Sequence, residues 1–401
     1  VADRRLTTAA RVRYRLTPAW VKVVVIWALS RVVSTSLLLW FAARQPANAW
    51  TDAHPDYFSF AQLWDATWYH YVAVAGYPTE LPLTDDGQVR ENSWAFMPVY
   101  PFLVRALMLL TGLPWSFWSV VVSVAFSLAA ALAFHRLMRI VGLQAGTALF
   151  SVALFCFAPL SPLLQVGYAE AMHLFLLIVA LTLLVQRRYL ALLPIVAVMA
   201  LTRPSGLAFA LFLGLHVMHR WWIRYRDPFP AHERIASVVA TAFSAVMGFM
   251  WLIIAWSVTG SFTAYTDTEL AWRAPYIGYS ELVPFTPWIQ SAGWWMTGPM
   301  GFIVLGLVVV AFFAFLFTPW AKRIGVDLRL WVASYGIYLL AVFFPQSSTF
   351  RLLMPMFPLV GALAQPRSRV YRVAILIVFI IGQWVWLYYC WWIDGRDWTP
   401  P

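Results

Sequence analysis

Long apolar runs, separated by short loops that carry arginine, recur from one end of this chain to the other. A helix needs about 20 apolar residues to cross a bilayer, and helices satisfy their own backbone polar groups in lipid. The composition fits no other solvent. Of 401 residues, 62% are hydrophobic and 11% are charged, whereas a soluble domain carries about 25% charged residues. Too little polar surface remains to cover a water-soluble globule, so the chain reads as an all-α polytopic membrane protein. Its 24 Trp and 17 Tyr suit many crossings of the membrane interface, where amphipathic rings settle.

A net charge of +11 would suggest nucleic acid in a soluble protein. Here the basic residues lie mostly in short loops between apolar runs, so they read as topology signals, with membrane lipids and not nucleic acid as the partner. Cys156 and Cys390 both lie in apolar segments and form no metal spacing or disulfide framework. The basic N-terminus precedes an apolar run about as long as a full span, which reads as a signal anchor.

Eleven segments are expected to cross: 20–43, 116–140, 145–160, 168–186, 189–202, 205–221, 236–258, 299–318, 329–345, 350–364 and 371–393. A twelfth candidate, 96–113, contains Pro98, Pro101 and Arg105 and reads better as a helix in the interface. With a cytoplasmic N-terminus and 96–113 not crossing, the inside segments hold Arg4, Arg5, Arg11, Arg13, Arg15, Arg136, Arg139, Arg187, Arg188, Arg220, Arg224, Arg226, Arg234, Lys322, Arg323, Arg329, Arg367, Arg369 and Arg372. Every short inside loop is then basic, as the positive-inside rule requires. Most acids, from Asp52 and Asp65 to Asp394 and Asp397, fall outside. A crossing at 96–113 would flip every later loop and break the pattern. Residues 1–401 therefore read as one membrane-embedded domain with two long outside loops, 44–115 and 259–298. Loops of that length are usually functional or carry their own helices.

The first loop contains FAQLWDATWYHYVAVAGYP, suited to a short amphipathic helix on the membrane surface. A carboxylate beside aromatic rings, as Asp65 is beside Trp64, is partly desolvated and thereby a better base. A base that takes a proton from an acceptor hydroxyl needs such a group within hydrogen-bond reach. A solvated carboxylate or a helix cap is the plainer reading of Asp65. Farther on, Glu170 and His173 begin an apolar helix three residues apart, on one face. They are either functional groups at membrane depth or interfacial caps. The break at Arg203-Pro204-Ser205-Gly206 places an arginine outside, against the charge bias. Arg273 and Arg351 are likewise basic on the outside. A guanidinium fork suits phosphate oxygens, so these three are candidates for a lipid phosphate; acidic partners are the alternative.

No nucleotide-binding glycine loop, Walker loop, His-Glu-x-x-His motif or Gly-x-Ser-x-Gly elbow occurs. Direct use of ATP or a cytosolic nucleotide sugar is not expected. Neither a cofactor nor a metal is required.

In order along the chain, LWDATWYHYVAVAGYP, WAFMPVYPFLVR, FAPLSPLLQVGYAEAMHLFLL and LTRPSGLAFAL resemble the motifs of the PIG-V-like mannosyltransferases, with weaker echoes at AWRAP and FRLLMPMFPLV. The resemblance implies the membrane-embedded GT-C glycosyltransferase architecture, with interfacial helices in the first loop. It implies mannose taken from a polyprenyl phosphate on the extracytoplasmic side. By the same resemblance, Asp65 is the catalytic candidate and Trp64 shapes the sugar or lipid-phosphate site. Tyr69 and His70, within the first motif, are candidate substrate contacts with Glu170, His173, Arg203, Arg273 and Arg351. Relatives tend to have Gln where this chain has Glu269, which leaves the second loop's role open. The compact chain looks bacterial, of an actinobacterial kind, so the expected acceptor is a cell-envelope glycolipid, glycan or protein and the expected location is the cell membrane. The competing readings are a transporter or flippase of lipid-linked sugars, and a GT-C enzyme using another polyprenyl-phosphate sugar such as arabinose.

Overall fold

The structure, a computed structural model, describes residues 16–296 and 298–394. The basic residues Arg4, Arg5, Arg11, Arg13 and Arg15, and the acidic Asp397, lie outside the described residues. The longer helices are α1 (Ala19–Ala42), α2 (Asp65–Ala75), α3 (Val99–Thr111), α4 (Trp115–Ile140), α5 (Ala145–Phe157), α6 (Glu170–Val185) and α7 (Tyr189–Ala200). They continue as α8 (Gly206–Trp222), α9 (Ala231–Thr259), α10 (Ala264–Ala271), α11 (Pro287–Trp295), α12 (Met300–Leu316), α13 (Val326–Val342) and α14 (Arg369–Trp386). Among the described residues there is no strand, only an isolated bridge between Leu83 and Val89 in the first long loop.

Prolines and glycines set many of the ends. α1, α4, α9 and α12 each start directly after a proline (Pro18, Pro114, Pro230, Pro299), a residue whose fixed φ suits a helix start. α3 and α9 stop at Gly112 and Gly260 with φ of +72° and +73°, the left-handed cap that glycine adopts without strain.

Four helices are long and apolar enough to cross a membrane: Ala19–Ala42, Trp115–Ile140, Ala231–Thr259 and Arg369–Trp391. They mark the chain as a membrane protein, and the apolar side chains exposed along them, such as Leu29, Val239 and Ile381, suit a lipid surround. Other apolar helices are shorter, among them α5, α6, α7 and α12. α3 has 13 residues, a length of about 20 Å, so it is too short to cross a core of about 30 Å unaided. The segment 350–364 differs from the expected single span. It forms Thr349–Leu352, a 3₁₀ turn at Met354–Met356 and Pro358–Leu363. Pro355 and Pro358 each remove a helical hydrogen bond and clash with the preceding turn.

The core lies where α4 packs on α6 and where α8 packs on α9 and α13. Two glycines allow α8 and α9 to touch backbone to backbone. A Cβ on Gly206 would sit 2.7 Å from the Gly248 Cα and 2.8 Å from its nitrogen. Because the obstacle is main chain, it cannot rotate away. Gly206→Ala is expected to destabilise the protein by about 1–3 kcal/mol, read as a lower midpoint of thermal unfolding in detergent. An unchanged midpoint would mean that the crossing has slack.

Between α5 and α6 the chain leaves the helix and exposes carbonyls in the protein interior. Arg31 of α1 covers two of them, donating to Ser161 O at 2.9 Å and Cys156 O at 3.1 Å. Gln383 of α14 donates to Phe157 O at 2.9 Å. Buried backbone acceptors need such partners. This segment carries Tyr168 and leads into Glu170, so the polar seam between α1 and α14 fixes one wall of the site.

Candidate active site

Asp65 is the first residue of α2, and the backbone just before it is unusual. Trp64 has φ +61°, a conformation that costs a non-glycine residue about 1–3 kcal/mol and persists only where the surroundings enforce it. They do so here. The Trp64 indole N–H donates to Trp391 O at 3.0 Å, and its ring lies 5.1 Å from that of Trp50. The turn aims Asp65 away from Trp64. The Asp65 backbone N–H donates to the Tyr168 hydroxyl at 3.1 Å. Gly167 brings the α5–α6 segment close enough for this, since a Cβ there would meet the Gln62 side-chain oxygen at 2.7 Å and the Ala66 Cβ at 3.1 Å.

Four charged side chains meet at this point. Arg351 donates to Oδ2 of Asp65. Arg203 pairs with Oε1 of Glu170 at 2.9 Å, and the Arg351 Nε lies 3.7 Å from the same oxygen. The order is therefore Asp65, Arg351, Glu170, Arg203, with alternating sign. All four side chains are at most 15% exposed. Arg203 also donates to the Tyr69 hydroxyl at 3.4 Å, and the Arg351 guanidinium lies 5.6 Å from the Tyr168 ring centre. Arg203 projects from the turn between α7 and α8, and Arg351 from the proline-broken segment. Both breaks in helical periodicity thus deliver an arginine to one place.

The group lines a cavity of about 360 Å³ that also reaches α9, α10 and α13. On that side stand Glu269, Trp272 and Arg273, with Tyr265, Tyr335 and Tyr338. Glu269 hydrogen-bonds the Tyr265 side chain; burial pushes its carboxyl up from the ordinary value, and Arg273 pulls it partly back. Among the described residues, three buried nitrogens of cavity-lining residues make no hydrogen bond: Nδ1 of His173, Nε1 of Trp272 and Nε of Arg351. Among the described residues no group of three His, Cys, Asp or Glu side chains is arranged to hold a metal ion.

Seven of the residues singled out in the sequence line this cavity: Asp65, Tyr69, Glu170, His173, Arg203, Arg273 and Arg351. Two do not. Trp64 packs into the contact with Trp50 and Trp391 described above. His70 stacks on Trp115 with ring centres 5.2 Å apart. Successive helical residues are about 100° apart, so Tyr69 and His70 do not share a face. Of the three arginines, Arg203 and Arg351 have acidic partners. Sequence reading did not single out Tyr335 and Tyr338. Their spacing of three within an apolar helix puts them on one face, which was the available signal.

No protein-family model matches the chain, and no curated protein matches it. Solved structures with a similar arrangement include the Saccharomyces cerevisiae protein O-mannosyltransferase Pmt1–Pmt2 complex bound to its sugar donor, at 13% identity and TM-score 0.41, covering 61% of this chain and 34% of that one. The archaeal oligosaccharyltransferase AglB from Archaeoglobus fulgidus, in complex with an inhibitory peptide and a dolichol-phosphate, is 11% identical with TM-score 0.45, covering 91% of this chain and 55% of that one. The apo Archaeoglobus fulgidus oligosaccharyltransferase is 11% identical with TM-score 0.43, covering 93% and 57%. The chain thus spans between a third and somewhat over half the length of these proteins.

Proposed function

We propose that the chain is a membrane-embedded glycosyltransferase of the GT-C type. It moves mannose, with inversion, from a polyprenyl phosphate to an extracytoplasmic acceptor of the cell envelope. The observation that carries this reading is Asp65 itself. Arg351 engages its Oδ2, and among the described residues its Oδ1 has no partner, in a cavity that also holds three arginines. A carboxylate oriented through one oxygen leaves the other to accept a proton.

In this mechanism the acceptor hydroxyl hydrogen-bonds Oδ1 of Asp65. As its oxygen bonds to the anomeric carbon, the bond from that carbon to the phosphate oxygen breaks and the proton passes to Asp65. The polyprenyl phosphate leaves with the bonding electron pair, its charge stabilised by guanidinium. Tyr69 and Tyr335 bring hydroxyl groups to the cavity that suit a sugar. Catalysis comes from holding the reacting groups in line and from fixed charges in a water-poor site. Membrane orientation follows the positive-inside reading, with the N-terminus cytoplasmic and the cavity facing outward.

Incubating the purified protein with labelled polyprenyl-phosphate mannose and envelope lipid extract tests the reading. New labelled glycolipid, glycan or glycoprotein is the expected product. Movement of label across a reconstituted bilayer with no new glycosidic bond would instead make the protein a transporter.

A further inference from the structure

The cavity is lined by three arginines and three carboxyl groups, but they do not all pair. Arg203 rests on Glu170 and Arg351 on Asp65. Arg273 meets no carboxylate oxygen within 4.0 Å among the described residues. Its guanidinium makes one long hydrogen bond, to Val342 O at 3.3 Å, although the residue is only 8% exposed. A guanidinium carries five N–H donors, so most of those of Arg273 are uncommitted. Those uncommitted nitrogens are not sealed from solvent, so a ligand in the cavity that Arg273 lines can reach them.

We infer that Arg273 forms the anion subsite for the phosphodiester of the lipid-linked donor, while Arg203 and Arg351 stay with their carboxylates. This rests on the transferase reading above. The charge balance agrees with it. Burial pushes the Glu269 carboxyl up and Arg273 pulls it partly back; with that carboxyl protonated, the lining carries one net positive charge. A phosphodiester carries one negative charge, and a guanidinium fork can take two of its oxygens. Once ionised, Glu269 competes for Arg273 and repels the phosphate. Facing Glu269 are Tyr265 from its own helix, Arg273 just beyond it, Tyr338 from α13, Arg203 from the α7–α8 turn, and Asp65. Donor binding therefore weakens as pH rises through the titration of Glu269.

The test is equilibrium binding of radiolabelled polyprenyl-phosphate mannose to the full chain in phosphatidylcholine nanodiscs, which needs no turnover. Arg273→Gln is expected to weaken binding at least tenfold, and Arg273→Lys to recover part of the loss. Glu269→Gln is expected to abolish the decline of binding with rising pH. Unlabelled polyprenyl phosphate should compete, whereas inorganic phosphate and phosphatidylglycerol should not. If Arg273→Gln binds like the parent while Arg351→Gln loses the ligand, the phosphate belongs on Arg351 and the assignment fails. Equal competition by phosphatidylglycerol would make this a general lipid-headgroup site and would also defeat it. If the parent chain itself binds no polyprenyl-phosphate mannose, the transferase reading falls, and this inference with it.

Discussion

Asp65→Asn is expected to lower kcat for sugar transfer by about 100- to 10,000-fold, the range that a positioned general base contributes. Asparagine keeps the shape and can still accept the Arg351 hydrogen bond through its side-chain oxygen. It cannot take a proton from the acceptor. The substitution also removes one negative charge from a site whose side chains are at most 15% exposed. Arg351 then retains only the more distant Glu170, whose Oε1 lies 3.7 Å from its Nε. The lining becomes more positive, so the KM for the anionic donor should stay level or fall while kcat collapses. That split separates loss of a base from general damage, which would raise KM as well. Steady-state kinetics on purified protein, at saturating acceptor, give both numbers. Near-normal kcat in this variant would remove Asp65 from the chemistry.

Much of this site could be read in advance, because its residues sit at breaks in otherwise apolar helices. Arg203 stands at a Pro-Ser-Gly turn, and Asp65 follows an aromatic run in a loop too long to be a simple connection. Which charge meets which was not legible. Asp65 and Arg351 are 286 positions apart, and no local rule of spacing reaches that far. Other differences were legible but masked by apolar content. The segment 350–364 is apolar enough to suggest a span, yet Pro355 and Pro358 forbid a continuous helix. The resulting break is what turns Arg351 toward Asp65. Tyr69 and His70 were grouped by motif, although helical geometry separates them. Trp64 was expected to shape the sugar or lipid-phosphate site; it does not line the cavity, and its ring packs beside Trp50 with its N–H on Trp391 O. The second loop is the reverse case: Glu269 looked like a departure from a pattern, and it lies with Arg273 along the same cavity as Asp65.

Removing Glu170 should damage stability more than any other single change in the cavity. Its side chain is 5% exposed and faces two guanidinium groups, Arg203 at 2.9 Å and Arg351 at 3.7 Å. It is also the first residue of α6, where the helix dipole favours a negative charge. Glu170→Gln preserves the shape but leaves Arg203 buried without a counter-charge. Breaking a buried ion pair from one side costs about 3–5 kcal/mol, mainly through the charge left behind. The pair itself contributes less than that, because both groups lost hydration to form it. The double variant Glu170→Gln, Arg203→Gln should therefore be more stable than Glu170→Gln alone, with a coupling energy of about 1–3 kcal/mol in a double-mutant cycle. Thermal or denaturant unfolding of the purified chain in one detergent measures all four corners. If the double variant is no more stable than additivity of the two single changes allows, the pair is not coupled and the alternating arrangement in the cavity is incidental. If coupling is present, the cavity's fixed charges are part of what holds α6 to the α7–α8 turn, and the protein invests folding stability in the site that the donor must enter.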